Sequence, residues 1–237
     1  MAAATAMTEA LPALALQAWL SPAYPVGSYA YSHGLEAAAE NNTVNNQATL
    51  ALWINDNLRH GAGWNDAVLI VETARRYQQQ QPAGSFIELA PINELACAMS
   101  GTAELQQESM QQGAAFLSVT RQAWPHADIE RFAEQVHGGV AYSVCFALAA
   151  CAHEIDIRDA VRGYLFAMIA NWVSAAVRMN IIGQTAGQQL AASFATRIEK
   201  ISADAMTATL DDLGGCVFLN DIASFNHESQ HARLFRS

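Results

Sequence analysis

After Asp156, the apolar residues Val161, Leu165, Met168, Ile169, Trp172, Val173 and Val177 recur at spacings that place them on one broad face of a helix. The face is wide enough almost to enclose that helix. A segment of this kind has to be surrounded by other helices, which makes it the expected centre of a bundle. The uncharged run within it, Gly163 to Val177, is fifteen residues long, as is a second run from Gly138 to Ala152. Each falls short of the roughly 18 to 20 residues that a membrane span requires, so both are expected to be buried helices, with no membrane partner.

The rest of the chain agrees. β-branched residues are scattered, no alternating run of useful length occurs, and Ala, Leu, Gln and Glu dominate. Helices are expected at about 11–20, 33–41, 47–60, 64–81, 91–99, 102–123, 126–153, 156–181 and 184–205, with a short one near 207–213. The resulting fold class is all-α: a single-domain bundle of about ten helices, covering 11–223 between a flexible N-terminus (1–10) and a flexible C-terminal tail (224–237).

Some boundaries have a chemical cause. Asn65-Asp66 is an expected N-cap with a first-turn acid, Pro91 suits a first turn, and Thr102 with Leu105 offers half a capping box. Gly61-Ala-Gly63 and the stretch Gly183 to Gly187 mark chain reversals. The low-complexity link QQQQPAGS at 78–85 is too short to separate domains.

Composition narrows the function. Hydrophobic residues make up 52% and charged residues 14% of the 237, against roughly 25% charged in an ordinary soluble domain. Either the core is large or a partner covers apolar surface. The net charge is −10, with Lys200 the single lysine and no basic residue before Arg59, so nucleic acid is not the expected partner. Cys97, Cys145, Cys151 and Cys216 form no CxxC pair and read as buried small hydrophobes in a reducing compartment. The N-terminal MAAATAMTEALPALALQAWL lacks a positive n-region and carries Glu9, so export is not expected.

Catalytic signatures are missing: there is no GxxxxGK[ST], GxSxG, HExxH, or GxGxxG after a strand. Gly183-Gln-Thr-Ala-Gly187 has the glycine spacing of a phosphate cradle but neither the lysine nor the strand, so a helix-to-helix turn is preferred. His227 and His231, at i and i+4 with Glu228 adjacent, have metal-ligand spacing on a helix. Two histidines nevertheless fall below the three protein ligands of a lasting site, and no metal or other cofactor is expected. Arg233 and Arg236 flank Leu234-Phe235 in HARLFRS, which fits either docking on a partner or folding back onto the chain's own acidic surface.

Two further segments stay open on residues alone. In SPAYPVGSYAYSHGLE, Pro22 and Pro25 forbid helix, Gly27 can take positive φ and Ser28 can cap the element after it. Pro22 to Ser28 are expected to form a rigid turn, with the first long helix starting at about Ser28 to His33. Tyr24, Tyr29 and Tyr31 make this either a core wedge or an aromatic recognition surface. Arg178 either complements its helix end or is an exposed interface residue, and Gln184 could satisfy the same carbonyls.

The segments LQAWLSPAYPVGSYAYSHGLEAAAE at 16–40, NWVSAAVRMNIIGQTAGQQL at 171–190 and DIASFNHESQHARLFRS at 221–237 together resemble the urease accessory protein family UreF. The resemblance implies a helical, dimeric, cytoplasmic protein that is not an enzyme. Its implied partners are the accessory protein UreD (also called UreH), the GTPase UreG and apo-urease, in a complex that inserts nickel into urease. It carries over Pro25, Gly27, Ser32, Gly34, Leu35 and Glu36 from the first segment, and Asn171, Ser174, Arg178, Gly183, Gln184 and Thr185 from the second. From the third come Asp221, Ser224, His227, Glu228, Gln230, Arg233, Leu234, Phe235, Arg236 and Ser237. Tyr24 and Tyr29 then sit at or beside a protein interface. Asn226 stands where the family has a basic residue and His231 where it has tyrosine, so the pair His227/His231 is not a family metal site. The competing readings are a small metal-binding enzyme and an inert structural dimer.

Overall fold

In the computed structural model, the helix-forming sequence builds twelve α-helices and two single 3-10 turns among the described residues, 2–79 and 89–237, with side chains described from residue 11. The helices are α1 (Ala2–Trp19), α2 (Leu35–Glu40), α3 (Gln47–His60), α4 (Ala62–Gln79), α5 (Leu89–Ala98) and α6 (Ala103–Ala123), followed by α7 (Ala127–Gln135), α8 (Tyr142–Ala152), α9 (Ile157–Arg178), α10 (Gln184–Ser193), α11 (Ala195–Ala205) and α12 (Phe218–Glu228). The 3-10 turns are Ser28–Ala30 and Leu210–Asp212. The all-α reading holds, with no strand among the described residues.

The centre is α8 and α9. Almost every residue of α8 is buried, against α4 and α6 on its two broadest sides. α9 packs on α2, α3, α4, α8, α10, α11 and the first 3-10 turn, with Leu165, Ile169 and Trp172 sealed. At 22 residues it is the one described helix long and apolar enough to cross a membrane, and its enclosure by these elements makes it the core helix instead. Trp19, Phe116, Phe146 and Tyr164 extend the centre, with edge-on or tilted rings such as Trp19 on Phe116 at 5.7 Å and Phe146 on Tyr164 at 5.3 Å.

Several boundaries differ from the sequence reading. The helix expected at 126–153 is two, because the chain leaves α7 at Val136, turns at Gly138 with φ +109° and crosses α6. A Cβ on Gly113 of α6 would lie 2.0 Å from the Val140 carbonyl oxygen, so the crossing needs glycine there. The helix expected at 184–205 breaks at Phe194, where Ser193 Oγ turns back onto the Leu190 carbonyl at 2.6 Å and the Phe194 ring is buried. The short helix near 207–213 reduces to the turn Leu210–Asp212, capped by Thr209 and Asp212.

α4 starts at Ala62, so Asn65 and Asp66 lie inside it and make tertiary bonds rather than a cap. Asn65 binds Gly214 and Gly215, and Asp66 accepts from the Tyr164 hydroxyl at 2.9 Å. α1 begins at Ala2 rather than residue 11. Ser28 opens a single 3-10 turn rather than a long helix, because the chain then extends and reverses at His33 and Gly34 before the short α2. Cys145 is buried and Cys97 and Cys151 half-buried, but Cys216 is exposed, since it sits in the loop before α12. The expected Thr102 cap is present, its Oγ1 accepting from the Leu105 amide at 3.2 Å, and Asp156 supplies a further one, accepting from the Asp159 amide at 3.0 Å.

Candidate functional site

The three motif segments meet around one buried carboxylate. His33 and Gly34 both adopt left-handed backbone, φ +55° and +78°, and swing the chain so that Glu36 points inward from the first turn of α2. Glycine is required at 34 for a second reason: a Cβ there would lie 3.0 Å from the Ser224 amide nitrogen of α12. α12 therefore rests directly on the backbone of this turn. Ser32 Oγ accepts from the Glu36 amide at 3.2 Å, and Ser224 Oγ is 2.7 Å from Thr102 Oγ1.

His227, in the last turn of α12, is fully buried, with Nε2 3.1 Å from Glu36 Oε2 and Nδ1 2.8 Å from Glu104 Oε2. Each ring nitrogen thus faces a carboxylate oxygen. Glu104 also accepts from Arg233 at 2.8 Å, and Glu36 accepts the backbone amides of Leu234 at 2.6 Å and Phe235 at 2.9 Å. The tail continues along the 30–36 segment. The Arg236 amide donates to the Ala30 carbonyl at 2.8 Å, and both the amide and hydroxyl of Ser32 donate to the Ser237 carbonyl. In the chain by itself the tail thus folds back onto its own acidic surface. We call the Glu36–His227–Glu104–Arg233 set the clasp.

Arg178 is held beside it. Its guanidinium carbon stands 3.7 Å from the Tyr29 ring centre and 4.2 Å from that of Phe235, while Nε donates to Ser174 within α9. It thus joins the N-terminal segment to the tail as well as ending its helix. Asn171 Nδ2 reaches the Tyr31 carbonyl at 3.2 Å.

Other expected residues lie elsewhere. Gln184 is exposed at the start of α10, and the α9 carbonyls expected to be its partners are taken by the amides of Met179, Asn180 and Ile181. Tyr24 wedges between loop and α6, its hydroxyl 2.8 Å from Thr120 Oγ1, whereas Tyr29 is largely exposed. Pro25 and Gly27 are exposed in the turn. Glu228 and Gln230 contribute backbone carbonyls to Arg233. His231 falls beyond the end of α12 at Glu228, so it does not share a helix face with His227. Among the described residues no group of three His, Cys, Asp or Glu is arranged to hold a metal ion.

Sequence reasoning missed α12 itself, and with it a surface. The helix is inside out: its buried face is polar, Asn220, Ser224 and His227 with Ala223, and its outer face carries Phe218 (76% exposed), Leu219, Ile222 and Phe225. Leu234, 61% exposed, projects from the adjoining tail while its neighbour Phe235 is sealed. The signal was present in FLNDIASFNHE, where Phe218, Ile222 and Phe225 keep helical i, i+4, i+7 spacing.

Below the clasp lies a cavity of about 530 Å³, bounded by the loop after α1, by α4, α6 and α9, and by the segment leading into α12. His33, Asp66, Glu108 and Asn220 line it. Burial pushes Asp66 up to about 6 and Glu108 up to about 8, and holds His33 down at about 4. Asn220 Oδ1 is buried there without a partner.

These features define an all-helical protein with an exposed apolar helix face beside a self-clasped tail. A family model described as UreF matches residues 44–195. The chain is similar to the urease accessory protein UreF of Methylobacterium sp. strain 4-46, 45% identical over 95% of this chain and 88% of that one. It is likewise similar to that of Methylobacterium radiotolerans, 42% identical over 97% and 98%, and to that of Mesorhizobium japonicum, 40% identical over 98% and 100%. The chain belongs to the UreF family.

Proposed function

We propose that this protein is a urease maturation factor acting through binding energy alone. It docks on a UreD/UreH-like protein through the outer face of α12 and Leu234, recruits the GTPase UreG, and on apo-urease regulates GTP-dependent nickel delivery without a reaction of its own. It works in the cytoplasm, as a homodimer within that complex. The observation that carries the reading is the inverted α12: four large apolar side chains in solvent on a helix whose polar side is buried are what a protein partner covers. The names of the relatives supply the urease context. Arg178, stacked between Tyr29 and the tail's Phe235, ties the docking end to the face assigned to the GTPase.

The enzyme alternative, built on His227, His231 and Glu228, loses its geometric basis because those side chains do not converge. The experiment is capture of the UreD-like partner by the full chain carrying Ile222→Asp and Phe225→Asp. Capture falls at least tenfold while the fold, followed by circular dichroism, is kept; full capture would overturn the reading. Co-expression of a urease operon lacking this chain alone separates it from the inert dimer: inactive, nickel-free urease is expected.

A further inference from the structure

Five aromatic side chains, Trp19, Tyr29, Tyr142, Tyr164 and Phe166, line the cavity beneath the clasp, together with the carboxyls of Asp66, Glu108 and Asp221. Among the described residues that line it there is no lysine or arginine. Burial holds its histidine, His33, down at about 4, so that ring is neutral at neutral pH. An anion entering the cavity would meet carboxyls and no positive charge, whereas an organic cation finds both carboxylate and aromatic faces. The volume, about 530 Å³, lies within the roughly 300–1,000 Å³ of small-molecule sites, and the cavity is partly open to solvent.

The walls also hold an unanswered acceptor. Asn220, on the buried face of α12, is 6% exposed, and its Oδ1 has no hydrogen-bond partner. The side chain of Asn220 bonds to the Asp221 carboxyl. An ionised carboxylate only accepts, so the amide nitrogen serves that bond and the oxygen is the end left over. The surrounding groups lie close together. A Cβ on Gly34 would stand 3.3 Å from the Asn220 carbonyl oxygen, and His33, next along the chain, has Nε2 3.0 Å from Glu108. Asp66 of α4 interacts electrostatically with both His33 and Glu108, and it accepts from the Tyr164 hydroxyl.

We propose that this cavity binds a small organic amine, whose ammonium group donates to Asn220 Oδ1 and is balanced by Asp66 while its apolar body lies against Tyr142, Tyr164 and Phe166. Asp66 is the counter-ion because burial raises it only to about 6, which leaves it ionised at neutral pH, whereas Glu108, at about 8, is protonated there. A metal ion fits these walls less well, since among the described residues no three His, Cys, Asp or Glu are arranged round one ion. The inference goes beyond docking and does not rest on it. The occupant bonds the inner side of the helix whose outer side is apolar and exposed.

Calorimetric titration of the full chain with phenethylammonium at neutral pH is the test, with phenethyl alcohol and phenylacetate as the uncharged and anionic forms of a similar body. One saturable equivalent of the amine is expected, with the alcohol at least tenfold weaker and phenylacetate not bound. Asn220→Ala and Asp66→Asn each weaken the amine at least tenfold, with the fold followed by circular dichroism. The chain carrying Ile222→Asp and Phe225→Asp keeps amine binding, which separates the cavity from adsorption on the outer face of α12. If Asp66→Asn unfolds with the loss of its bond to Tyr164, Asn220→Ala and the order of the three compounds still decide. No saturable equivalent, meaning a cavity that holds water only, overturns the proposal. So do equal binding of the alcohol or phenylacetate, unchanged affinity in a folded Asn220→Ala, and loss of binding in the outer-face variant.

Discussion

α9 and α12 are both fixed against the body of the protein, and they are fixed by opposite means. α9 presents apolar side chains nearly all round and is held by shape, with Leu165, Ile169 and Trp172 sealed by the helices that surround it. α12 turns its polar side inward and is held by Ser224, His227 and the groups they meet, leaving its apolar side in solvent. Hydrophobic burial is non-directional and makes a core. Hydrogen-bonded and charged contacts fix position without using apolar surface, so a helix held that way keeps its apolar side for another molecule.

Substitutions on the two helices break the comparison at different depths. Trp172→Ala has the largest effect, about 3–5 kcal/mol from the lost side chain and the cavity left behind. In urea it lowers the midpoint of the whole transition. His227→Ala costs about 2–3 kcal/mol by leaving carboxylates short of a donor, but the loss is local: amides of α12 and the tail exchange faster while those of α8 keep their protection, and uniform loss across both helices would show that the clasp belongs to the core.

The cavity acids give a pH signature. Glu108 and Asp66 keep, in the folded chain, protons that the unfolded chain loses near 4.5 and 3.8. Their contribution is therefore present at low pH and lost as pH rises through about 6 for Asp66 and about 8 for Glu108. His33 works the other way, its contribution being present above 6.5 and lost as pH falls towards about 4. Of the three, Glu108 alone titrates between pH 6.5 and 8, where stability falls by at most about 1.4 kcal/mol per pH unit. Urea titrations across that range show the slope, and Glu108→Gln flattens it.

The smallest effects sharpen the contrast within α12. Ser224→Ala costs about 1 kcal/mol through the lost bond to Thr102, whereas Phe225→Ser, the next residue along, stays within about 0.5 kcal/mol. Thermal unfolding of the pair checks this, and a larger loss for Phe225→Ser would mean that its ring is not free.

Legibility in the sequence divides along the same line. The α9 face, the Thr102 cap and the all-α class come from local spacing, which survives in any context. The crossing of α6 is signalled by Gly138-Gly139, though helical composition on both sides masks it. The break at Phe194 has no glycine or proline, and comes from where one ring finds its pocket. The clasp is the least legible, since Glu36 and His227 meet across 191 residues and Ser32 and Ser237 across 205. Ser32, Glu36 and Ser237 are picked out by a family resemblance alone and His227 also by its spacing to His231, and nothing in that spacing indicates that they touch. The reverse periodicity of α12 is legible, but its outward apolar side conflicts with the rule that apolar residues go inside.

The span of the clasp also orders events in time. Its contacts close loops of nearly the whole described chain, the slow kind of pairing in folding. On the ribosome, residues 218–237 emerge after α2 and α6, against which α12 packs. The nascent bundle thus exists for an interval with Glu36 uncovered and the outer face of α12 already synthesised but not yet clasped. Under the docking role proposed above, a partner present during synthesis meets this surface before the tail has competed for it, and the order of translation becomes a variable in assembly.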